Sequence, residues 1–249
     1  MRRAGNKFII KSIVAIAGIL GSKSALAAHS HFPNLDKSVR LHQAKELLGS
    51  HYSKSVVKNG EKFRHIEEFI FEQVRDSLKD PWKPQARRLA KAIMNESVKY
   101  AFDPIFLMAV IKHESVFDPE TKGSFGEIGL MQVKPSTANW ISKKYDIHYN
   151  GSKSLFDPVI NVKFGAAYLD YLRDRFSFQS RLYLAAYNMG VTNVHRALYK
   201  DKWPKDYPIK VMQRYVEFYT ELVKSRTPDN KVLTPLVLAD SKTVTPTAF

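Results

Sequence analysis

Val110 to Gln132 reads VIKHESVFDPETKGSFGEIGLMQ, and it joins the end of a strongly apolar run to a loop punctuated by glycine. The run that leads into it, Pro104 to Ile111 (PIFLMAVI), is apolar at nearly every position, which predicts a helix buried on all sides. A carboxylate at Glu114, just past that run, is costly without a partner or a task. Desolvation favours its neutral form and raises its pKa, which suits a general acid near neutral pH. Pairing with Lys112 or an arginine is the structural alternative, and the stretch alone leaves both open.

The loop that follows spaces Gly123, Gly126 and Gly129 by three, which permits tight turns and close approach of a ligand. Leu130-Met131-Gln132 ends it with an apolar anchor, a polarisable side chain and an amide that both donates and accepts.

Working outward, helical period dominates. Asp103-Pro104 and Asp157-Pro158 each supply an N-cap and a first-turn proline. Ala86, Leu89, Ala90, Ile93, Ser97 and Tyr100 share one face, as do Val159, Val162, Ala166 and Leu169. Pro135 opens a short helix to Lys144, Arg181 to Tyr187 is apolar, and Ile209, Met212, Val216, Tyr219 and Val223 make a last stripe. Before these, a short helix is expected around Leu41 to Leu48, then a polar loop over Gly49 to Gly60, then a stripe of Phe63, Ile66, Ile70, Val74 and Leu78. Strand alternation is confined to possible ribbons near Phe125 to Ile128 or Tyr145 to Tyr149. The fold class expected is mainly α.

Asp80-Pro81-Trp82-Lys83-Pro84 marks the clearest boundary, separating an N-terminal helical extension (28–83) from a core domain (84–225), with a flexible C-terminal tail at 226–249. The first 27 residues read as a signal peptide: Arg2, Arg3 and Lys7 form the basic start, Phe8 to Leu20 the apolar centre, and Ala25-Leu26-Ala27 the cleavage signal. Cleavage after Ala27 lowers the formal charge from +15 to +10, because Arg2, Arg3, Lys7, Lys11 and Lys23 leave with it. With no cysteine to form disulfides or carry a lipid, a periplasmic or secreted protein without stable membrane insertion is expected. Its positive charge favours a polyanionic partner such as the cell wall. Nucleic acid would suit the charge, but no motif supports it and the export signal argues against it.

The chemistry available is narrow. His113-Glu114 begins a zincin helix motif, but Phe117 stands where its second histidine belongs and the other histidines are scattered, so no metal site is expected. No cysteine nucleophile and no G-x-S-x-G elbow exist, which leaves carboxylate acid–base chemistry without a cofactor. Tyr187 and Asn188 end an apolar helix before Gly190, where the phenol is placed either to orient a carboxylate or to bond backbone.

Glu114-Ser115, then Gly126-Glu127-Ile128-Gly129-Leu130-Met131-Gln132, then Asp157-Pro158 with Asn161 and Gly165-Ala166-Ala167-Tyr168-Leu169, then Ala186-Tyr187-Asn188 and Gly190 follow one another in an order and spacing that resemble the catalytic domain of soluble-type lytic transglycosylases. The resemblance covers about residues 84–225 and implies a helical fold related to goose-type lysozyme. It further implies the glycan strand of peptidoglycan as substrate, Glu114 as the single catalytic acid and base, and Ser115, Met131, Gln132, Tyr187 and Asn188 as residues of the substrate cleft. Many members carry serine where this chain has Gly123, so Ser124, one place later, is the candidate for that substrate contact.

Overall fold

The computed structural model of the protein describes residues 32–226, residue 34 excepted. The expected signal segment at 1–27 and the tail from 227 lie outside the described residues. The chain forms helices α1 (Lys37–Leu48), α2 (Val57–Gly60), α3 (Glu67–Ser77), α4 (Ala86–Lys99), α5 (Pro104–Ser115), α6 (Pro135–Tyr145), α7 (Pro158–Arg175), α8 (Ser180–Met189), α9 (Val191–Tyr199) and α10 (Asp206–Arg226). Short 3-10 turns at Gly49–Lys54, Asp80–Gln85 and Ser152–Phe156 connect some of them. Among the described residues there is no extended strand; isolated bridges pair Ile128 with Lys122 and with Val133.

Helix α5 is the axis of the fold because its sequence gives it no face for water: every residue from Ile105 to Ile111 has zero exposure. Asp103 caps its start, accepting from the Ile105 N–H at 3.0 Å, and Pro104 sits at the position where no N–H is needed. Asp157 repeats the device at α7, accepting from the Val159 and Ile160 N–H groups at 2.8 and 3.0 Å. Helix α10 packs along α5, α4 packs on α5 and α7, and α7 also receives α6 and α8.

The segment expected as a polar loop, Gly49 to Gly60, is instead folded. It winds as a 3-10 turn and then as α2, with Val57 and Gly60 buried. The cause is long-range: a Cβ on Gly60 would stand 2.3 Å from the Tyr219 ring of α10, so glycine is there for close packing and not for mobility. Helix α1 contributes Arg40, 3% exposed, whose guanidinium donates to the Phe63 carbonyl at 2.6 Å, the Gly60 carbonyl at 2.7 Å and the Tyr219 hydroxyl at 3.2 Å. Tyr219 and Tyr215 donate in turn to Asp103, at 2.6 and 2.8 Å. The cap of α5 is thereby tied to α10 and α1 by one buried polar network.

Two further differences from the sequence reading are local. Helix α9 is additional: Val191, Val194 and Leu198 share one of its faces, and Val194 is its buried member. Tyr145 to Tyr149 forms no ribbon, because Tyr145 ends α6 and Asp146 caps it in the left-handed region at φ 52°.

Candidate active site

Glu114 lies in the last turn of α5, whose C-cap, Val116, is left-handed at φ 54° and turns the chain sharply into the loop. The carboxyl is partly buried, and its Oε1 accepts a hydrogen bond from the Tyr207 hydroxyl at the start of α10. Burial pushes the Glu114 pKa up to about 7, against the lowering effect of the Tyr207 hydrogen bond; the nearby Glu127 adds to the rise. No lysine or arginine pairs with Glu114 among the described residues, so the helix-end ion pair considered from the sequence is not formed.

Tyr207 is the residue that sequence reasoning missed. One inward row of α10 is Tyr207, Val211, Tyr215, Phe218 and Leu222, spaced by four, four, three and four, with Pro208, Tyr219 and Val223 buried beside it. The stripe chosen from the sequence, Ile209, Met212, Val216, Tyr219 and Val223, meets the buried side at Tyr219 and Val223 but passes over Tyr207 and Tyr215. The edge-on ring of His113, 4.9 Å from that of Tyr207, fixes the phenol from the α5 side.

The loop from Gly123 to Gln132 is held from below by α7. Asn161, fully buried, accepts from the Met131 N–H at 2.7 Å and donates to the carbonyls of Ile128 at 2.7 Å and Leu155 at 2.8 Å. Gly129, at φ 78°, leaves room for that amide, since a Cβ would stand 2.4 Å from Asn161 Nδ2. Met131 has no exposed surface and its sulfur fills the space above Gly165, where a Cβ would meet it at 2.4 Å. The Tyr187 hydroxyl donates to the Met131 carbonyl at 2.7 Å, the backbone-bonded alternative for this phenol. Ser115 is also turned inward: its hydroxyl lies 2.8 Å from the Leu130 carbonyl and 3.2 Å from that of Ile111.

Gln132 adopts a left-handed backbone at φ 47° and its side-chain amide donates to the carbonyls of Gly129 at 2.8 Å and Thr121 at 3.1 Å. At Gly123 the space that a side chain would need is occupied, for a Cβ would stand 2.3 Å from Glu127 Oε2 and 2.8 Å from Gln132 Oε1. Ser124 and Asn188 are exposed, and their side chains form no hydrogen bond among the described residues. The loop tip ends in Phe125, 83% exposed.

Glu127 differs from Glu114 in its surroundings. Burial works to raise its pKa, but the N–H groups of Glu127 and Phe125 and the Lys134 ammonium bring it below the ordinary glutamate value. Lys134 Nζ lies 3.2 Å from Glu127 Oε1, and the Phe125 N–H donates to Oε2 at 3.0 Å. The other acids near Glu114 in sequence have other tasks or face water: Asp118 pairs with Lys79 and caps the Glu120 N–H, while Glu120 and Asp146 are exposed. Among the described residues no group of three His, Cys, Asp or Glu could hold a metal ion.

Against known proteins, residues 91–210 match the family model described as the Transglycosylase SLT domain. The soluble lytic murein transglycosylase of Salmonella typhimurium is 36% identical over 86 residues, 34% of this chain and 13% of that protein. Membrane-bound lytic murein transglycosylase C of Photorhabdus laumondii is 35% identical over 127 residues, 47% of this chain and 36% of that protein. The chain thus spans well under half the length of either relative. In fold it resembles lytic transglycosylase Slt from Pseudomonas aeruginosa, solved as an inactive mutant, with a TM-score of 0.50 and 21% identity over 79% of this chain and 39% of that one. The helical architecture around α5 resembles that structure, and residues 91–210 of the chain are similar to the transglycosylase SLT family.

Proposed function

We propose that the protein is a lytic transglycosylase that cuts the β-1,4 bond between N-acetylmuramic acid and N-acetylglucosamine in peptidoglycan strands, without water, in the periplasm or outside the cell. The observation that carries this reading is Glu114, an acid with a pKa of about 7 at the end of a buried helix and hydrogen-bonded to a phenol. Such a group is protonated for a useful fraction of the time near neutral pH, and it is still a competent base once it has given up its proton.

In the first step the Glu114 proton passes to the glycosidic oxygen as the bond from C1 of the muramic residue to that oxygen breaks. The muramic N-acetyl oxygen stabilises the cationic carbon, in place of the second carboxylate used by most glycosidases. The Glu114 carboxylate then takes the proton of the muramic 6-hydroxyl, whose oxygen bonds to C1 and closes a 1,6-anhydro ring. Tyr207 stays bonded to Glu114 through both steps and stabilises the carboxylate between them. The Gly129 to Gln132 turn, clamped by Asn161, forms one wall of the cleft.

Glu127 favours one other reading. It is held ionised close enough to Glu114 to raise that residue's pKa, the pattern of two carboxylates pushed apart in affinity for a proton. A water activated by Glu127 would make the protein a hydrolase. Digestion of purified sacculi followed by mass spectrometry separates the two, because an anhydro end is lighter by one water than a reducing end. Anhydro ends are the expected product; reducing ends alone would sink the transglycosylase reading.

Tyr207→Phe tests the pairing. The lost hydrogen bond had lowered the Glu114 pKa, so the alkaline limb of kcat/KM moves to higher pH, by about one unit for a bond to a charged group. A limb that stays in place would mean that Tyr207 does not act on Glu114.

A further inference from the structure

A second feature lies between α6 and α7. An open groove of about 580 Å³ is lined by Lys144, Tyr145, Asp170, Tyr171, Asp174 and Arg175, from α6 and α7. Its charged groups are of both signs, and among the described residues none of Lys144, Asp170, Asp174 or Arg175 forms an ion pair. The Tyr145 hydroxyl donates to Asp170 at 3.0 Å, which fixes that carboxylate on the groove wall. Lys144 Nζ stands 5.5 Å from the Tyr171 ring centre, and Trp140, 42% exposed, meets the same ring edge-on at 4.6 Å.

The groove is joined to the candidate active site by aromatic rings. Tyr171 stacks with Tyr168 at 6.4 Å, one turn back on α7, and Tyr168 packs at 5.5 Å against Tyr187, whose hydroxyl holds the Met131 carbonyl. Two ring-to-ring steps therefore separate the groove from the residues beside Glu114.

We propose that this groove receives the peptide stem borne by the muramic residue of the strand, an inference that rests on the peptidoglycan reading above. The rings suit a sugar face, but a groove whose four charged side chains are of both signs suits a ligand that is itself charged. A stem peptide carries free carboxylates together with the amino group of its diamino acid, and so complements a groove that presents cations and anions side by side. A stem of four residues extends roughly 13–14 Å at ~3.3–3.6 Å per residue, against ring-centre steps of 6.4 and 5.5 Å from Tyr171 to Tyr187. The volume lies within the range of about 300–1,000 Å³ that holds small ligands.

The test titrates the free stem tetrapeptide, released from peptidoglycan, into the wild-type protein and into a Lys144→Gln, Arg175→Gln double variant by calorimetry. Both cations are exposed, so thermal unfolding of the variant should match the wild type. Wild-type binding that weakens about fivefold in the variant is expected, the loss of two exposed charge contacts. With peptide-bearing strands, KM should rise by a similar factor while kcat is kept. An unmoved peptide affinity, or no peptide binding by the wild type, overturns the groove assignment. Because peptide binding requires no turnover, that result is distinct from failure of the reaction, which would appear as strands left without anhydro ends.

Discussion

Glu114→Gln should lower turnover of peptidoglycan by about 10³- to 10⁴-fold, the upper part of the range for a positioned acid or base, since one residue is asked to act in both steps. Glutamine keeps the acceptor for the Tyr207 hydroxyl and nearly the same volume, so strand binding should persist while cleavage stops. Turnover within a few-fold of wild type would remove Glu114 from the mechanism. The same variant makes a stability prediction whose sign follows from the raised pKa. The folded protein holds the Glu114 proton more tightly than the unfolded chain does, so the stability this contributes is complete below the ordinary value of 4.5 and is lost as pH rises through about 7. Glutamine has no such loss. The variant should therefore unfold at a higher temperature than wild type at pH 8, and the gain should vanish near pH 4. Equal melting temperatures at both pH values would mean that burial does not raise this pKa.

Arg40→Ala should be the most destabilising single change outside the site. It removes the cation of the network around Asp103, whose carboxyl is fully buried and whose pKa is raised by desolvation in spite of Arg40, Tyr219 and Tyr215. The carbonyls of Gly60 and Phe63 lose their donor in the same stroke. Each charged hydrogen bond lost from a buried acceptor costs about 1.5–3 kcal/mol, which makes about 3–5 kcal/mol for the set. For a chain of this size that corresponds to a drop in melting temperature of about 10 °C. Arg40→Lys should recover part of the charge but not the forked geometry that reaches three acceptors, and should fall between the two. A shift of under about 2 °C for Arg40→Ala would show that water replaces the guanidinium freely, a value that the same scaling converts to less than ~1 kcal/mol.

How much of this was legible in the sequence depended on the range of the forces involved. Helix α5 could be read because its signals are local: an Asp-Pro start and apolar residues on every side. The same holds for α4 and α7, whose inward faces follow one repeat. Gly60 was misread because the reason for a glycine there is a ring on α10, far along the chain. The acid itself stood out as a carboxylate in apolar surroundings. Its phenol partner did not, being 93 residues away on a helix whose tyrosines count as neither clearly apolar nor clearly polar. Extending the repeat Val211, Tyr215, Phe218, Leu222 back by one step would have found it. Asn161 was visible as part of a motif, yet its service to three backbone groups needed the fold to be seen.

The clamp of Asn161 also divides the loop into a part that is fixed and a part that is free to vary. Ile128 to Gln132 is bonded to α7, to Tyr187 and to Ser115. The tip before it closes on itself, with the Gly123 N–H on the Glu127 carbonyl at 2.9 Å and Lys122 bridged to Ile128. Ser124, Phe125 and Gly126 project beyond that closure, held by bonds within the loop and by Lys134 against the Phe125 ring at 5.5 Å. Natural drift or a protein engineer can therefore exchange or lengthen these three residues, altering which strands the molecule admits, while the atoms next to the carboxyl keep their places.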